Sequence, residues 1–153
     1  MILPDIRELV PHAGPMVLLD RVVAVEGEGL CAEVAIRPGT LFCAENGVGS
    51  WVGIEYMAQA VAAFAGYEAR ARGEAVRVGF LLGSRRYECA GPAFAIGKRL
   101  HVHVQRTLQG ENGLGAFECH IADADNAAAV LATATITVFQ PDNVGNFLQG
   151  IEE

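Results

Sequence analysis

Apolar residues recur along this chain in distinct rhythms, and each rhythm predicts a different element. From Trp51 to Gly66 nearly every position is apolar, through Trp51, Val52, Ile54, Met57, Ala58, Ala60, Val61, Ala62, Ala63 and Phe64, and the run is broken by Glu55 and Gln59. A helix apolar on every side lies inside a fold. Ser50 is the expected N-cap, and the helix is expected to run to about Arg72, with Tyr67, Glu68, Arg70 and Arg72 carrying its far end into solvent. A second rhythm appears where Ala132, Ala134, Ile136 and Val138 alternate with Thr133, Thr135 and Thr137, the pattern of an antiparallel strand covered on one face. Strand-like stretches also span 76–89, 99–108, 114–121 and 130–139. Residues 16–25 and 30–36 flank the turn Glu26-Gly27-Glu28-Gly29 as a hairpin. Residues 5–10 allow one helical turn, stopped by Pro11, and residues 37–50, with Pro38, Gly39, Asn46, Gly47 and Gly49, read as a loop. The sum is an α+β domain over residues 1–153, a curved antiparallel sheet of five or six strands wrapped around a long central helix, with a frayed tail after Pro141.

Composition narrows the possibilities further. With 52% hydrophobic and 19% charged residues, the 153-residue chain is neither disordered nor fibrous. Its length suffices to bury roughly 68–70% of the unfolded surface without a metal or disulfide staple. The net charge of −7 speaks against nucleic-acid binding, and the apolar run is too short for a bilayer. Cys31, Cys43, Cys89 and Cys119 are scattered, and Met1 to Glu8 holds no export signal, so reduced thiols in a cytoplasmic protein are expected. No phosphate-binding glycine loop, dinucleotide fingerprint or Gly-x-Ser-x-Gly elbow occurs, so no cofactor is expected.

Two stretches carry a resemblance: Leu9-Val10-Pro11-His12-Ala13-Gly14-Pro15-Met16-Val17-Leu18-Leu19-Asp20-Arg21-Val22, and Ile54-Glu55-Tyr56-Met57-Ala58-Gln59-Ala60. They resemble the FabZ-type 3-hydroxyacyl-[acyl-carrier-protein] dehydratases, whose hotdog fold wraps a sheet around a central helix. Gly79-Phe80-Leu81-Leu82-Gly83-Ser84-Arg85-Arg86-Tyr87, Gly113-Leu114-Gly115-Ala116-Phe117-Glu118-Cys119 and Phe139-Gln140-Pro141 are similar to the ApeP-like branch associated with aryl polyene synthesis. The resemblance covers about residues 8–141. It implies a site at a dimer interface, with groups from two protomers, and carries the family glutamate onto Glu55. The family's His-Phe-Pro-Gly histidine has no counterpart, because Leu41 to Glu55 contains no histidine. His12 matches a motif histidine that is not the family's usual base.

Removing water from a 3-hydroxyacyl thioester needs a base for the proton beside the carbonyl and an acid for the departing hydroxyl. Glu55 is the candidate acid: its apolar surroundings favour the neutral form, while the helix N-terminus favours the anion. Gln59, four residues on, shares its helix face and can orient it. His12 is the provisional base. The amides of Gly49, Ser50 and Trp51 at the helix start are candidate donors to the thioester oxygen, and Gly53 suggests a close approach by an acyl chain or a partner backbone, or tight packing alone. His101, His103 and His120 are expected on the sheet face turned away from the helix, and no metal site is assigned to them.

Three functions compete: the dehydratase, a hotdog thioesterase using one helix carboxylate, and a non-catalytic subunit serving a hotdog partner that supplies the histidine. A homodimer or heterodimer is expected in each case. Charge distribution bears on the carrier. Residues 70–106 hold eight basic groups against two acidic ones, a local charge of +6 that leaves −13 for the rest. Carrier proteins are acidic, so Arg70, Arg72, Arg85 and Arg86 are candidate docking residues for acyl carrier protein.

Overall fold

A computed structural model describes residues 3–75, 80–110 and 112–139, of 80–82 the backbone only. The expected strand start at 76–79, Arg77 and the tail after Pro141 lie outside the described residues. The chain opens with a one-turn helix α1 (Ile6–Leu9), whose N-cap Asp5 accepts a hydrogen bond from the Arg7 amide. A 3-10 turn, Gly14–Met16, follows. Strands β1 (Arg21–Glu26) and β2 (Gly29–Ala35) form the expected hairpin. After them come β3 (Cys43–Ala44), β4 (Gly47–Gly49), a second 3-10 turn (Ser50–Val52) and the helix α2 (Gly53–Ala71). The remaining strands are β5 (Phe80–Cys89), β6 (Ala93–Phe94), β7 (Arg99–Gln109), β8 (Leu114–Asp123) and β9 (Asn126–Phe139).

Six strands make one antiparallel sheet in the order β1-β2-β7-β8-β9-β5, and β3, β4 and β6 make a small second sheet. That second sheet corrects the expected loop over 37–50. Gly47 and Val48 are buried there because β6 closes over them: Val48 pairs with Phe94 and Gly49 with Ala93. The hairpin also begins later than expected, since Met16 is spent in the 3-10 turn. Strand β9 begins earlier, at Asn126, because Asp123 accepts from the Asp125 amide at 2.9 Å and tightens the turn.

Period-two alternation fixes which side of the sheet meets the helix. Leu30, Ala32 and Val34 of β2, Leu100, Val102 and Val104 of β7, Phe117, Cys119 and Ile121 of β8, and Ala132, Ala134 and Ile136 of β9 are all buried in one core with Val52, Met57, Ala60, Val61 and Phe64. At the far end of α2, Gly73 at φ +75° donates to the Arg70 carbonyl and Glu74 to that of Ala69, a Schellman closure that stops the helix where the sequence places its glycine.

Candidate active site

The N-terminal segment lies along α2 and touches it at four points. Glu8 pairs with Arg70 at 2.7 Å. The backbone of Leu9 crosses Gly66 so closely that a Cβ there would stand 2.8 Å from the Leu9 carbonyl carbon. Nε2 of His12 lies 3.4 Å from Oε1 of Glu55. Gln59 makes the fourth contact, and it is fully buried at 0% exposure. Its Oε1 accepts from the Leu18 amide at 2.9 Å, and its Nε2 donates to the Met16 carbonyl at 2.7 Å and to Glu55 Oε1 at 3.1 Å. A buried side-chain amide whose hydrogen bonds are this well filled is a rigid strut.

Glu55 therefore stands on the third residue of α2, where the helix dipole favours a carboxylate. Both His12 and Gln59 address the same oxygen, Oε1. Among the described residues Oε2 accepts no hydrogen bond, and the side chain as a whole is 40% exposed. The desolvation expected from its apolar neighbours is thus incomplete in this chain: Val52, Tyr56, Met57 and Ala60 are buried, but Glu55 sits on the half-open strip with Ile54, Ala58 and Ala62. Nδ1 of His12 and the hydroxyl of Tyr56 are buried without a partner among the described residues. Burial also pushes the Tyr56 hydroxyl up to about 12, assisted by the charges of Asp20 and Cys43.

The helix start differs from expectation. Ser50 is not the N-cap of α2; it opens the 3-10 turn, Val52 occupies the cap position, and neither supplies a side-chain cap. The Ser50 amide is not a donor for a ligand, because it is spent on the Pro92 carbonyl at 2.9 Å. Gly49 is needed for a different reason: a Cβ there would come within 2.5 Å of Trp51 Nε1, so its absence lets the indole fold back. Trp51 itself is 67% exposed and meets Phe42 edge-on at 5.7 Å. Gly53 packs under Tyr87, where a Cβ would run into the phenol oxygen and stand 3.1 Å from Phe94 Cζ and 3.2 Å from Ile121 Cδ1. The close approach that its glycine signals is by these side chains of the chain itself. Tyr87, which donates to the Ser50 carbonyl, reaches it through a bulge in β5 in which Arg86 takes φ +55°. Sequence patterns had passed over Tyr87 and Gly66, since an aromatic in a strand and a glycine in a helix carry no mark of what they touch.

Folding largely cancels the basic segment. Arg70 pairs with Glu8 and Arg72 with Glu74, Lys98 meets Asp123, Arg99 meets Glu33 and Asp125, and Arg106 is held by Glu28 and Glu68 over the Phe64 ring. Among the described residues Arg85 and Arg86, both exposed on β5, have no ion pair. The three strand histidines stand where alternation predicted, on the sheet face opposite α2, in register with Cys31 and Glu33. Burial works against the Glu33 carboxylate, yet hydrogen bonds from Arg21 and His101 and the charges of Arg21 and Arg99 outweigh it and hold the group below its ordinary value.

A single long helix cradled by an antiparallel sheet in this strand order is the hotdog fold. Two solved structures show the architecture alone: a hypothetical thioesterase with coenzyme A from Streptococcus pneumoniae (13% identity, TM-score 0.59, 78% of this chain and 84% of that one) and zebrafish thioesterase superfamily member 2 (11%, 0.62, 89% and 92%). A third is nearer. The dehydratase heterocomplex ApeI:P from Xenorhabdus doucetiae contains a chain 30% identical, with TM-score 0.89, covering 99% of this chain and 100% of that one. The family model of the ApeP dehydratases matches residues 4–149, and the chain belongs to this ApeP-like family of lyase-type enzymes. No protein of curated function matches it in sequence. Among the described residues no helix is long and apolar enough to cross a membrane.

Proposed function

We propose that this chain acts in the dehydration of a 3-hydroxyacyl thioester carried on acyl carrier protein, giving the trans-2-enoyl thioester in fatty-acid or polyene-type synthesis. The observation that carries the reading is the 3.4 Å approach of His12 Nε2 to Glu55 Oε1, on a carboxyl group whose other oxygen accepts no hydrogen bond among the described residues. With a protonated Glu55, Oε2 faces the substrate hydroxyl. The C2–H bond breaks toward His12 Nε2, its electron pair becomes the C2–C3 double bond, and the C3–O bond breaks with its pair on oxygen as Glu55 donates its proton there, releasing water and leaving Glu55 a carboxylate. The proton then held by His12 returns to Glu55 across the short gap, so the site resets without an outside acid. Gln59 fixes the carboxyl rotamer throughout, and with the Ser50 amide spent on Pro92, the Gly49 and Trp51 amides are the candidate donors for the thioester oxygen.

A specific observation favours a second assignment of the base. A charged His12 would bury an N–H at Nδ1 with no acceptor among the described residues. A histidine from a second hotdog subunit would then take the C2 proton, while His12 positions Glu55. Both assignments use a partner over the open strip beside Glu55, where Trp51 and Phe42 lie exposed, and the dehydratase heterocomplex among the similar structures supports such a partner. A homodimer is the alternative pairing. Arg85 and Arg86 on β5, and Arg70 and Arg72 in exposed and hence weak pairs at the far end of α2, are the residues we assign to docking of the acidic carrier.

Incubating the protein, alone and with the cognate hotdog subunit, with a 3-hydroxyacyl carrier protein and following the acyl mass tests the reading. Loss of one water is expected, and Glu55→Gln should slow it by roughly 100-fold or more. Free acid would point instead to a thioesterase. Full activity in Glu55→Gln would remove the glutamate from the chemistry. His12→Gln separates the two bases: a comparable loss makes His12 the base, and near-complete retention makes it a positioning residue.

A further inference from the structure

The strand register collects a second group of reactive side chains on the sheet face turned away from α2. Cys31 of β2 stands opposite His103 of β7, His103 stands opposite His120 of β8, and two pairs along the ladder, on the same face, His101 stands opposite Glu33. Cys31 Sγ and His103 Nε2 are 3.8 Å apart. One ligand atom from each of Cys31, His101 and His103 lies within 4.8 Å of the others. In a tetrahedral site with a metal–sulfur bond of about 2.3 Å and a metal–nitrogen bond of about 2.0 Å, sulfur and nitrogen are separated by about 3.5 Å, so the thiol and imidazole already stand near the edge length of such a site.

The surroundings fit a bound ion. Cys31 is only 8% exposed although it sits on the outer face. A cavity of about 400 Å³ opens over the group, lined also by Glu26, Gln105 and Glu118. His120 stacks on His103 with ring centroids 4.3 Å apart and orients it. Glu33 Oε1 lies 3.0 Å from His101 Nε2; a carboxylate accepts, so with the proton on Nε2 the lone pair falls on Nδ1, the carboxylate–histidine arrangement found behind metal ligands. Arg21 and Arg99 hold Glu33 in place.

We propose that Cys31, His101 and His103 form a binding site for a borderline-soft divalent cation of the zinc class, with its fourth position open to the cavity. The set of one thiolate and two imidazoles selects against magnesium and calcium, which prefer oxygen. The site is separate from Glu55 and does not depend on the proposed chemistry there. The three strand histidines alone left a metal unassigned in the sequence; the further ligand, Cys31, comes from a strand seventy residues earlier, and the β2–β7 register brings it in.

Metal-free protein titrated with Co²⁺ and, by equilibrium dialysis, with Zn²⁺ tests the site. One ion per chain and a thiolate-to-cobalt charge-transfer band are expected. Cys31→Ser should abolish the band and weaken Zn²⁺ binding by about 100-fold or more, and His101→Asn should weaken it comparably. Glu33→Gln should cost about 10- to 100-fold, as loss of a ligand's supporting group does. The exposed Cys89→Ser is the control and should change nothing. Absence of the band in the parent, or its survival in Cys31→Ser, overturns the proposal. Circular dichroism on each variant separates lost binding from lost folding.

Discussion

The backbone amide of Leu18 donates to Oε1 of Gln59 over 2.9 Å, joining positions 41 residues apart in sequence. Because the same side chain holds Met16 and Glu55, one residue determines both where the N-terminal segment runs and how the candidate acid is turned. Gln59→Leu keeps the volume and leaves the buried Leu18 amide and the part-buried Met16 carbonyl unpaired. The expected loss is about 2–5 kcal/mol of unfolding free energy, checked by chemical denaturation. A variant as stable as the parent would show that water fills the gap and that the strut is not rigid.

Gly53→Ala should also destabilise, although alanine is the better helix former by roughly 1 kcal/mol. The new methyl meets the Tyr87 oxygen and the Phe94 and Ile121 side chains, and overpacking of this kind costs roughly 1–3 kcal/mol. Adding Tyr87→Phe removes the obstructing oxygen, so the double variant should recover part of the melting temperature lost by the single one. A single variant more stable than the parent would contradict the close packing.

Stability should fall between pH 7.5 and pH 5.5. Burial holds His103 below the ordinary histidine value, with the charges of His120 and His101 adding to the effect, and burial likewise holds His120 below it. As pH drops through about 6.5, the unfolded chain binds protons that the folded chain refuses, and the balance shifts toward unfolding. Above that range the contribution is complete. The denaturation midpoint, measured with chelator present, should therefore decline with acidity, and His120→Asn should flatten the decline. Glu33 loses its stabilising charge only at lower pH, so it does not mask the test.

Trp51→Ala should leave the fold nearly unchanged and weaken subunit association. The indole is 67% exposed and touches Phe42, so little core is lost, whereas a solvent-facing aromatic pair beside a site is a typical anchor for a partner. Sedimentation with the second hotdog subunit should show a dissociation constant raised at least about tenfold, which corresponds to about 1.4 kcal/mol. Unaltered association would place the interface elsewhere.

Much of this architecture was legible from the pattern of residues. The apolar run around Met57 and Phe64 predicted the enclosed helix, and alternation in β7, β8 and β9 predicted which side chains face it. The juxtaposition of Glu55 with Gln59 followed from helical spacing. What remained hidden depends on contacts between distant segments. Ser50 looked like a helix cap because nothing local reveals that Pro92 claims its amide. Val48 looked like part of a loop because its strand partner, Phe94, comes 46 residues later. The run of arginines looked like a free basic surface because Glu8, Glu28, Glu68 and Asp123 approach it only in the folded chain. Glu55 looked enclosed because its neighbours in sequence are, yet its own side of the helix is the open one.

The contact between Gly66 and Leu9 bears on how such a chain can diverge. What Gly66 makes room for is a stretch of main chain, with the Leu9 Cα 3.0 Å from where a Cβ would be. No replacement at position 9 can relieve that crowding, because every residue type brings the same backbone. Compensation by paired substitution, the ordinary route of drift in a packed core, is therefore closed here. A larger residue at 66 must lift α1 off the helix and carry His12, three positions downstream of Leu9, with it. Descendants of this chain can exchange the leucine freely among residues that fill its pocket, but they inherit the glycine or rebuild the approach to Glu55.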